Sequence, residues 1–408
     1  MCHHHHTDPT DQHPTLGAPM LMSARSPRIA VVGGSLTGPA LALLLVQAGF
    51  EHVDLYEATP AAATQGGGLL SLEHCALDVL DGLGIGQHEY VKNRFQTITH
   101  ITRGSNRGGQ KVVQRVYPGQ FTTWSLLHAA LIARLPQQVL HRGHRVTGLS
   151  HGNGRPMLHF AERPSQPADL VAFADGRTSI GRRLLDGGRA LRYAGYIAHR
   201  GRTPATPTCL SDFRRLEPCP GVQFNIAPVP AGSDWTFYLN ATADQYAAWF
   251  GAAPQQRAFA LPHHVSAAAR VHVNAHAGRH LPGDHAAVVH ATAARMAVPV
   301  MDIDPPRRMV WPLDGGHAVL LGDALAPVRP HTGRGVNNGI EQAAGLVAAL
   351  RQHHRHGADL HAALRGWQRR QLPTALAAVR LGPHIGDQLG LGAPLATPRP
   401  VPEAAALG

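Results

Sequence analysis

The sequence predicts an α/β fold in which a parallel, nucleotide-binding layer is interleaved with a β-sheet domain and followed by C-terminal helices. Three observations carry that prediction. A short apolar run, Ile29-Ala30-Val31-Val32, ends in Gly33-Gly34 and leads into a helical pattern. A β-rich stretch fills the middle of the chain. A second apolar run, Ala318-Val319-Leu320-Leu321, then ends in Gly322-Asp323. Short apolar runs closed by glycine are the mark of buried parallel strands.

The elements follow in order. Ile29 to Val32 forms the first strand. Leu36 to Ala48 forms a helix, with Pro39 in its first turn and Gly49 just past its end. Val53 to Tyr56 is the second strand, closed by Glu57. Residues 94–117 alternate and predict strands, and Leu126 to Leu135 predicts a helix. Residues 139–175 read as strands broken by Gly152-Asn153-Gly154 and Pro164. Tyr193 to Asn240 is strand-like, clearest at Val222 to Ala227 and Trp235 to Asn240. Residues 241–298, rich in Ala and His, predict helices. Ala318 to Leu321 is a further buried strand, and Ile340 to Leu350 a helix behind it. This order predicts a nucleotide-binding domain built from 26–90, 120–190 and 305–350. The expected β-sheet domain takes 91–119 and 191–304. Residues 351–408 are expected to form C-terminal helices and a tail, and 1–25, with His3 to His6, a disordered tail.

Composition narrows the function. The chain has 408 residues, 44% of them apolar and 15% charged, enough for a sizeable core. Its net charge of +11 comes almost wholly from scattered Arg, with Lys only at Lys92 and Lys111. No basic stripe with interleaved aromatics appears, which argues against a nucleic-acid partner. The longest apolar run near the start, Pro39 to Val46, is too short to span a bilayer. Four cysteines without a C-x-x-C pair fit a reducing, cytoplasmic setting. The histidine pairs lack partners at ligand spacing, so no metal site is expected. Ser35 is in no G-x-S-x-G elbow and no Walker A motif occurs, which leaves out hydrolase and phosphoryl-transfer readings.

Two motifs carry chemistry. Gly33-Gly34-Ser35-Leu36-Thr37-Gly38 fits G-x-G-x-x-G with Ser35 in the middle-glycine place. Gly33 permits a tight turn, Gly38 allows close helix–strand packing, and the helix N-terminus faces a pyrophosphate. Glu57, at the end of the second strand, is placed to accept from an adenosine ribose. The second motif is Gly322-Asp323, followed by Pro330-His331-Thr332-Gly333-Arg334-Gly335-Val336-Asn337. Its glycines let main chain lie close to a flat ring, and Asp323 can bind a polyol chain.

A third segment, Ala174-Asp175-Gly176-Arg177, gains meaning from its position between the other two. Together, in this order, the three resemble the FAD-dependent aromatic hydroxylases of the para-hydroxybenzoate hydroxylase type, over about residues 28–375. Within that family the chain is similar to 2,6-dihydroxypyridine 3-monooxygenases. The likeness lies in the Gly-Gly-Ser start, the Tyr193-Ala194-Gly195-Tyr196 segment with Arg200-Gly201 after it, and the loop running into Arg329-Pro330-His331.

The resemblance implies a Rossmann-like FAD-binding domain and a single-component monooxygenase. NAD(P)H, as NADPH or NADH, would reduce FAD transiently. O2 would then form a flavin C4a-hydroperoxide that hydroxylates an aromatic or N-heteroaromatic small molecule. Gly33, Gly34, Ser35, Leu36, Thr37 and Gly38 would line the pyrophosphate, and Glu57 the ribose. Asp175 and Gly176 would hold the pyrophosphate region and serve the reductant. Gly322 and Asp323 would bind the ribityl chain. Pro330, Gly333, Arg334, Gly335, Val336 and Asn337 would lie along the flavin. Trp124 stands where the family commonly carries an FAD-anchoring Arg, and Phe173 replaces a usual Gly. Pro330, His331, Tyr238 and His199 are the candidate catalytic and substrate residues. A homodimer is left open. So are two alternative functions: a natural-product tailoring oxidase or epoxidase, and a nucleotide-binding protein without redox activity.

Overall fold

The computed structural model describes residues 26–60, 67–92, 95–104, 109–152, 154–230, 232–357 and 359–392. The tail expected at 1–25 and the last part of the segment 351–408 lie outside the described residues. The chain opens with β1 (Arg28–Val32), α1 (Thr37–Gln47), β2 (His52–Glu57), β3 (Leu69–Leu72), α2 (His74–Gly82) and α3 (Gln87–Tyr90). Next come β4 (Thr97–Arg103), β5 (Gln110–Val116), β6 (Gln120–Thr123), α4 (Trp124–Ile132), β7 (Leu140–Arg142), β8 (Val146–Gly152), β9 (Arg155–Phe160), β10 (Gln166–Pro167), β11 (Leu170–Phe173) and α5 (Ile180–Leu185). The middle holds β12 (Arg192–Thr203), β13 (Phe213–Cys219), β14 (Val222–Val229), β15 (Gly232–Asn240), α6 (Ala243–Phe250), α7 (Ala267–His280), α8 (Gly283–Ala291) and β16 (Arg295–Asp302). It ends with β17 (Val310–Leu313), β18 (Gly316–Leu320), α9 (Gly335–His356) and α10 (Leu360–Gln388).

Two large sheets organise these elements. A six-stranded sheet runs β17-β18-β11-β1-β2-β7, parallel except for β17. Its strands come from three separated stretches of chain, and its centre is the apolar run of β1. A seven-stranded sheet runs β16-β12-β15-β14-β13-β4-β5 and is antiparallel except between β13 and β4. Its outer face packs Trp235, Phe237 and Leu239 against Val273 and Ala277 of α7 and Val289 of α8. Along β15 the alternate residues Thr236 and Tyr238 point the other way, toward the nucleotide-binding layer. Among the described residues no helix is long and apolar enough to cross a membrane.

The layer is closed by helices on its face. α1 and α9 lie side by side, and α10 packs along α9, where the Trp367 Nε1 donates to the Gln342 carbonyl at 3.0 Å. Glycines permit the contact. Gly33 has φ of 112°, and a Cβ there would lie 2.5 Å from the Ala174 carbonyl oxygen. A Cβ on Gly38 would overlap the Gly33 carbonyl oxygen, and one on Gly339 would overlap the Thr37 hydroxyl.

Two sequence expectations are corrected. Residues 241–298 are not helical throughout: α8 ends at Ala291, and Arg295 onward is the edge strand β16. Met296 to Met301 is a continuous short apolar run, a pattern that does not by itself tell a buried strand from a helix. The expected helix at Ile340 begins earlier, at Gly335, and its first turns carry Gly339, where a side chain would overlap the Thr37 hydroxyl.

Replacing Gly38 with alanine is expected to cost about 3 kcal/mol, the upper range for forcing an extra carbon into a packed contact. Urea unfolding followed by far-UV circular dichroism measures it; a midpoint equal to the parent's would refute the close approach of α1 to β1.

Candidate active site

The first glycine loop turns from β1 into α1. The Gly33 amide donates to the Tyr56 carbonyl at 2.8 Å, and the Gly34 amide to Glu57 Oε2 at 2.6 Å. Glu57 Oε1 also accepts from the Thr59 amide at 2.6 Å, so the carboxylate is fixed at the loop's edge. Ser35 is exposed, while the Leu36 side chain turns into the core and only its backbone faces the loop. Thr37 lies against Gly322 and Gly339. The N-terminus of α1 has no side-chain cap, nor does that of α9, whereas α4, α6, α7 and α10 are each capped by a side-chain oxygen. Uncapped amides at two adjacent helix starts form an anion-seeking surface.

Trp124 begins α4 beside this loop. Its Nε1 donates to the Ser35 hydroxyl at 3.1 Å, and its ring stacks on His128 at 4.4 Å. His128 in turn contacts the Gly34 carbonyl at 2.9 Å. The indole therefore braces the loop by hydrogen bonding and stacking. Phe173, where the family usually has Gly, is fully buried, and its ring occupies the space that the bare Gly181 leaves.

Asp175 starts the turn after β11. It accepts from the Ser179 hydroxyl at 2.5 Å and from the Ile180 and Gly181 amides at 2.6 and 3.3 Å, tying down the start of α5. Burial raises its pKa, and these three donors oppose the rise. Gly176 has φ of 74° with open space over its Cα. Arg182 donates to the Asp323 and Ala324 carbonyls at 3.1 and 2.8 Å and is fully engaged. Arg177 is different: Nη1 reaches the Pro299 carbonyl at 3.3 Å, but among the described residues Nε and Nη2 are buried without a hydrogen-bond partner. Sequence reading gave Arg177 no role, and no local signal marks it.

Asp323 is solvent-accessible although protein surrounds it, so it lines a deep cleft. Desolvation raises its pKa, and Arg177 and Arg182 oppose that rise. Gly322, with φ of 59°, is held by its amide donating to Gln342 Oε1 at 2.7 Å. Beyond it, Pro330 is exposed and Gly333 has φ of 65°. Arg334 and Asn337 turn away from the cleft. Arg334 bridges Glu73 and Glu341, reaching the latter at 2.8 Å, while Asn337 accepts from the Glu73 amide at 3.0 Å and donates to the Ser71 carbonyl at 3.1 Å. They fasten the loop to β3 and α2, and Val336 packs at the core's margin. Glu73, Cys75 and Glu341 lie close enough to hold a cation, but the Arg334 guanidinium already bridges the two carboxylates.

His331 crosses to the seven-stranded sheet. Nδ1 is 3.0 Å from Gln223 Oε1, Nε2 is 3.0 Å from the Tyr196 hydroxyl, and the Tyr238 ring centroid is 4.6 Å away. The hydrogen positions follow from the network. Gln223 Nε2 donates to Glu217 Oε1 at 2.8 Å, so its oxygen must face His331. His331 therefore carries its proton on Nδ1, and Nε2 accepts from Tyr196. Burial lowers its pKa to about 3, helped by Arg215 and Arg329. Arg329, behind the loop, holds Asp302 with two hydrogen bonds of 2.7 and 2.6 Å.

His199 does not join this group. It pairs with Phe237 across β12 and β15, so it points to the outer face, near the Phe250 ring at 6.1 Å. Tyr238 pairs with Ala198 and points inward. The one-residue offset between the strands separates the two expected partners. Tyr196 and Gln223, which sequence reading passed over, share the inward face with Tyr238; only the strand register reveals them.

Family models of known domains find no match in the sequence. The 6-hydroxynicotinate 3-monooxygenase of Pseudomonas fluorescens is 28% identical over 363 residues, covering 84% of this chain and 87% of the relative. The enzyme of that name from Bordetella bronchiseptica is 30% identical over 345 residues, covering 80% and 83%. The chain belongs to the FAD-dependent aromatic hydroxylases. The solved 2,6-dihydroxypyridine-3-hydroxylase from Arthrobacter nicotinovorans has the same fold, with a TM-score of 0.75 at 21% identity over 92% of this chain and 95% of that one. The hydroxylase is thus a flavoprotein monooxygenase, and its two glycine loops and Asp323 line one cleft.

Acid lability follows from His331. Its pKa, about 3 when folded, lies below the ordinary 6.5, so the unfolded chain takes up a proton that the native state refuses. Stability is unaffected above about pH 6.5 and falls as pH drops below it. His331→Gln is expected to flatten the decline in urea midpoint between pH 7 and pH 5; an unchanged slope would place the acid sensitivity elsewhere.

Proposed function

We propose that the hydroxylase inserts one atom of O2 into a small hydroxylated aromatic or N-heteroaromatic ring, with NADH or NADPH as transient reductant. The observation that carries this reading is the meeting of the Gly-Asp loop and the sheet at His331, Tyr196, Gln223 and Tyr238. There a ring bound against the sheet would face the cofactor cleft. The described cleft fits FAD: two uncapped helix starts for phosphate, a fixed acid at Glu57 for ribose, and accessible Asp323 for a polyol. In this reading the backbone of Gly33 to Gly38 takes the pyrophosphate. Asp175 acts through the turn that it ties down. The backbone from Pro330 to Gly335 lines the ring. Bound FAD supplies the activation of oxygen.

The chain's own residues supply position and dryness. Tyr196, Tyr238 and His331 form a packed wall that keeps water from the reacting ring. His331 holds its proton at Nδ1 and is too weakly basic at Nε2 to take another near neutral pH, so its part is orientation. The three described cysteines are free, which supports a cytoplasmic setting. A tailoring oxidase or epoxidase and a non-redox nucleotide binder are not favoured by the relatives.

The visible spectrum of the purified protein, with identification of the released chromophore, tests the reading. Bound FAD and oxidation of NADH or NADPH stimulated by 6-hydroxynicotinate or 2,6-dihydroxypyridine are expected. Asp323→Ala is expected to weaken FAD retention about tenfold, the worth of one hydrogen bond to a charged group. A colourless protein that takes up no added FAD would sink the proposal.

A further inference from the structure

The inward face of the seven-stranded sheet carries a row of polar residues set by register. His100, Arg215, Asn225, Thr236 and Arg200 are successive Cα partners across β4, β13, β14, β15 and β12. Two residues along β14 and β15 lie Gln223 and Tyr238, which touch His331, so the row fronts the reacting region. Most of the row is partnered. Arg200 lies on Gly68 and faces Asp234, and His100 approaches Glu217 Oε2 at 2.7 Å.

Arg215 Nε and Asn225 Oδ1 have neither a hydrogen bond nor an ion pair among the described residues. Among the described residues Arg215 Nε is buried with no acceptor, and the guanidinium lies 6.0 Å from the Phe213 ring centroid. The carboxylate that attracts it, Glu217, is already engaged by Gln223 and His100. Asn225 Oδ1 is buried with no donor. Each such orphan costs stability, which calls for an explanation. The two residues stand directly opposite each other in an antiparallel ladder, where facing side chains lie side by side.

A donor beside an acceptor complements a ligand edge that offers an acceptor beside a donor. We propose that Arg215 and Asn225 together read the O=C–N–H edge of a lactam, so that the substrate binds as a pyridone-type tautomer of a hydroxylated N-heteroaromatic. The inference rests on the monooxygenase reading and narrows its substrate class. A carbocyclic phenol carries its donor and acceptor on one oxygen rather than on adjacent edge atoms, matches the pair less well and is disfavoured for that reason.

Matched probes test this. The holoprotein is titrated with 2-pyridone against phenol, and with 6-hydroxynicotinate against 4-hydroxybenzoate, following perturbation of the flavin absorbance. The lactam member of each pair is expected to bind on the order of tenfold tighter. Asn225→Leu is expected to erase the preference by weakening the lactams alone, and Arg215→Gln to weaken them too. Both variants should keep the flavin content and a urea midpoint no lower than the parent's, because each removes a buried orphan. Equal affinity within the pairs, a preference that survives Asn225→Leu, or a lower midpoint would overturn the proposal. So would a preference confined to the carboxylated pair and lost only in Arg215→Gln, which would make Arg215 a carboxylate anchor. A protein that takes up no flavin fails the monooxygenase reading instead. Calorimetric titration of that protein with the same probes still decides the lactam question.

Discussion

Everything in the structure depends on how closely three backbone segments approach at the centre of the parallel layer. The turn after β1, the end of β11 and the start of α9 come together where Gly33, Gly38 and Gly339 leave no room for a Cβ. Segments some three hundred residues apart in sequence thereby share one wall. Because α1 and α9 must start side by side, their free amides point into the same cleft. The anion-seeking surface is thus a by-product of helix packing, and the phosphate chemistry needs no separate device.

The arginine nitrogens around the cleft divide into two kinds. Arg182 and Arg334 are engaged by carbonyls or carboxylates, and Arg329 grips Asp302 with two of its nitrogens; all three hold loops in place. Among the described residues Arg177 Nε and Nη2, Arg215 Nε and Arg329 Nη1 are buried without a hydrogen-bond partner. The engaged nitrogens rigidify the frame, while the orphaned ones leave local electrostatic demand. Native proteins retain such costs where function needs them.

The tight turns of the parallel layer were legible in the sequence, because a glycine in a strand–helix turn signals a backbone constraint without reference to the rest of the chain. Gly33 and Gly38 belong to this class. Arg334 and Asn337 did not follow the motif: their side chains face β3 and α2, which nothing near residue 334 reveals. The sheet side was less legible. The alternation of β15 correctly separated Tyr238 from Phe237, but pairing His199 with Tyr238 required a register that a single strand does not contain. The strand β16 was concealed because its short apolar run follows an alanine-rich helical stretch and carries no alternation of its own. Trp124 and Phe173 read as losses in the sequence. In space, one is met by Ser35 and His128 and the other by Gly181.

The hydrogen bonds behind His331 run in one direction. Glu217, a pure acceptor at the far end, fixes the amide of Gln223, which fixes the imidazole tautomer, which fixes the hydroxyl rotor of Tyr196. The wall's shape and its polarity are therefore encoded in different places: packed rings set the shape, and one carboxylate on β13 sets the polarity. Exchanging that carboxylate for an amide frees the Gln223 side chain to rotate and swaps donor for acceptor all the way to Tyr196, with no atom of the wall displaced. A family using this arrangement can change the sign of its recognition surface by a substitution remote from the ring it recognises.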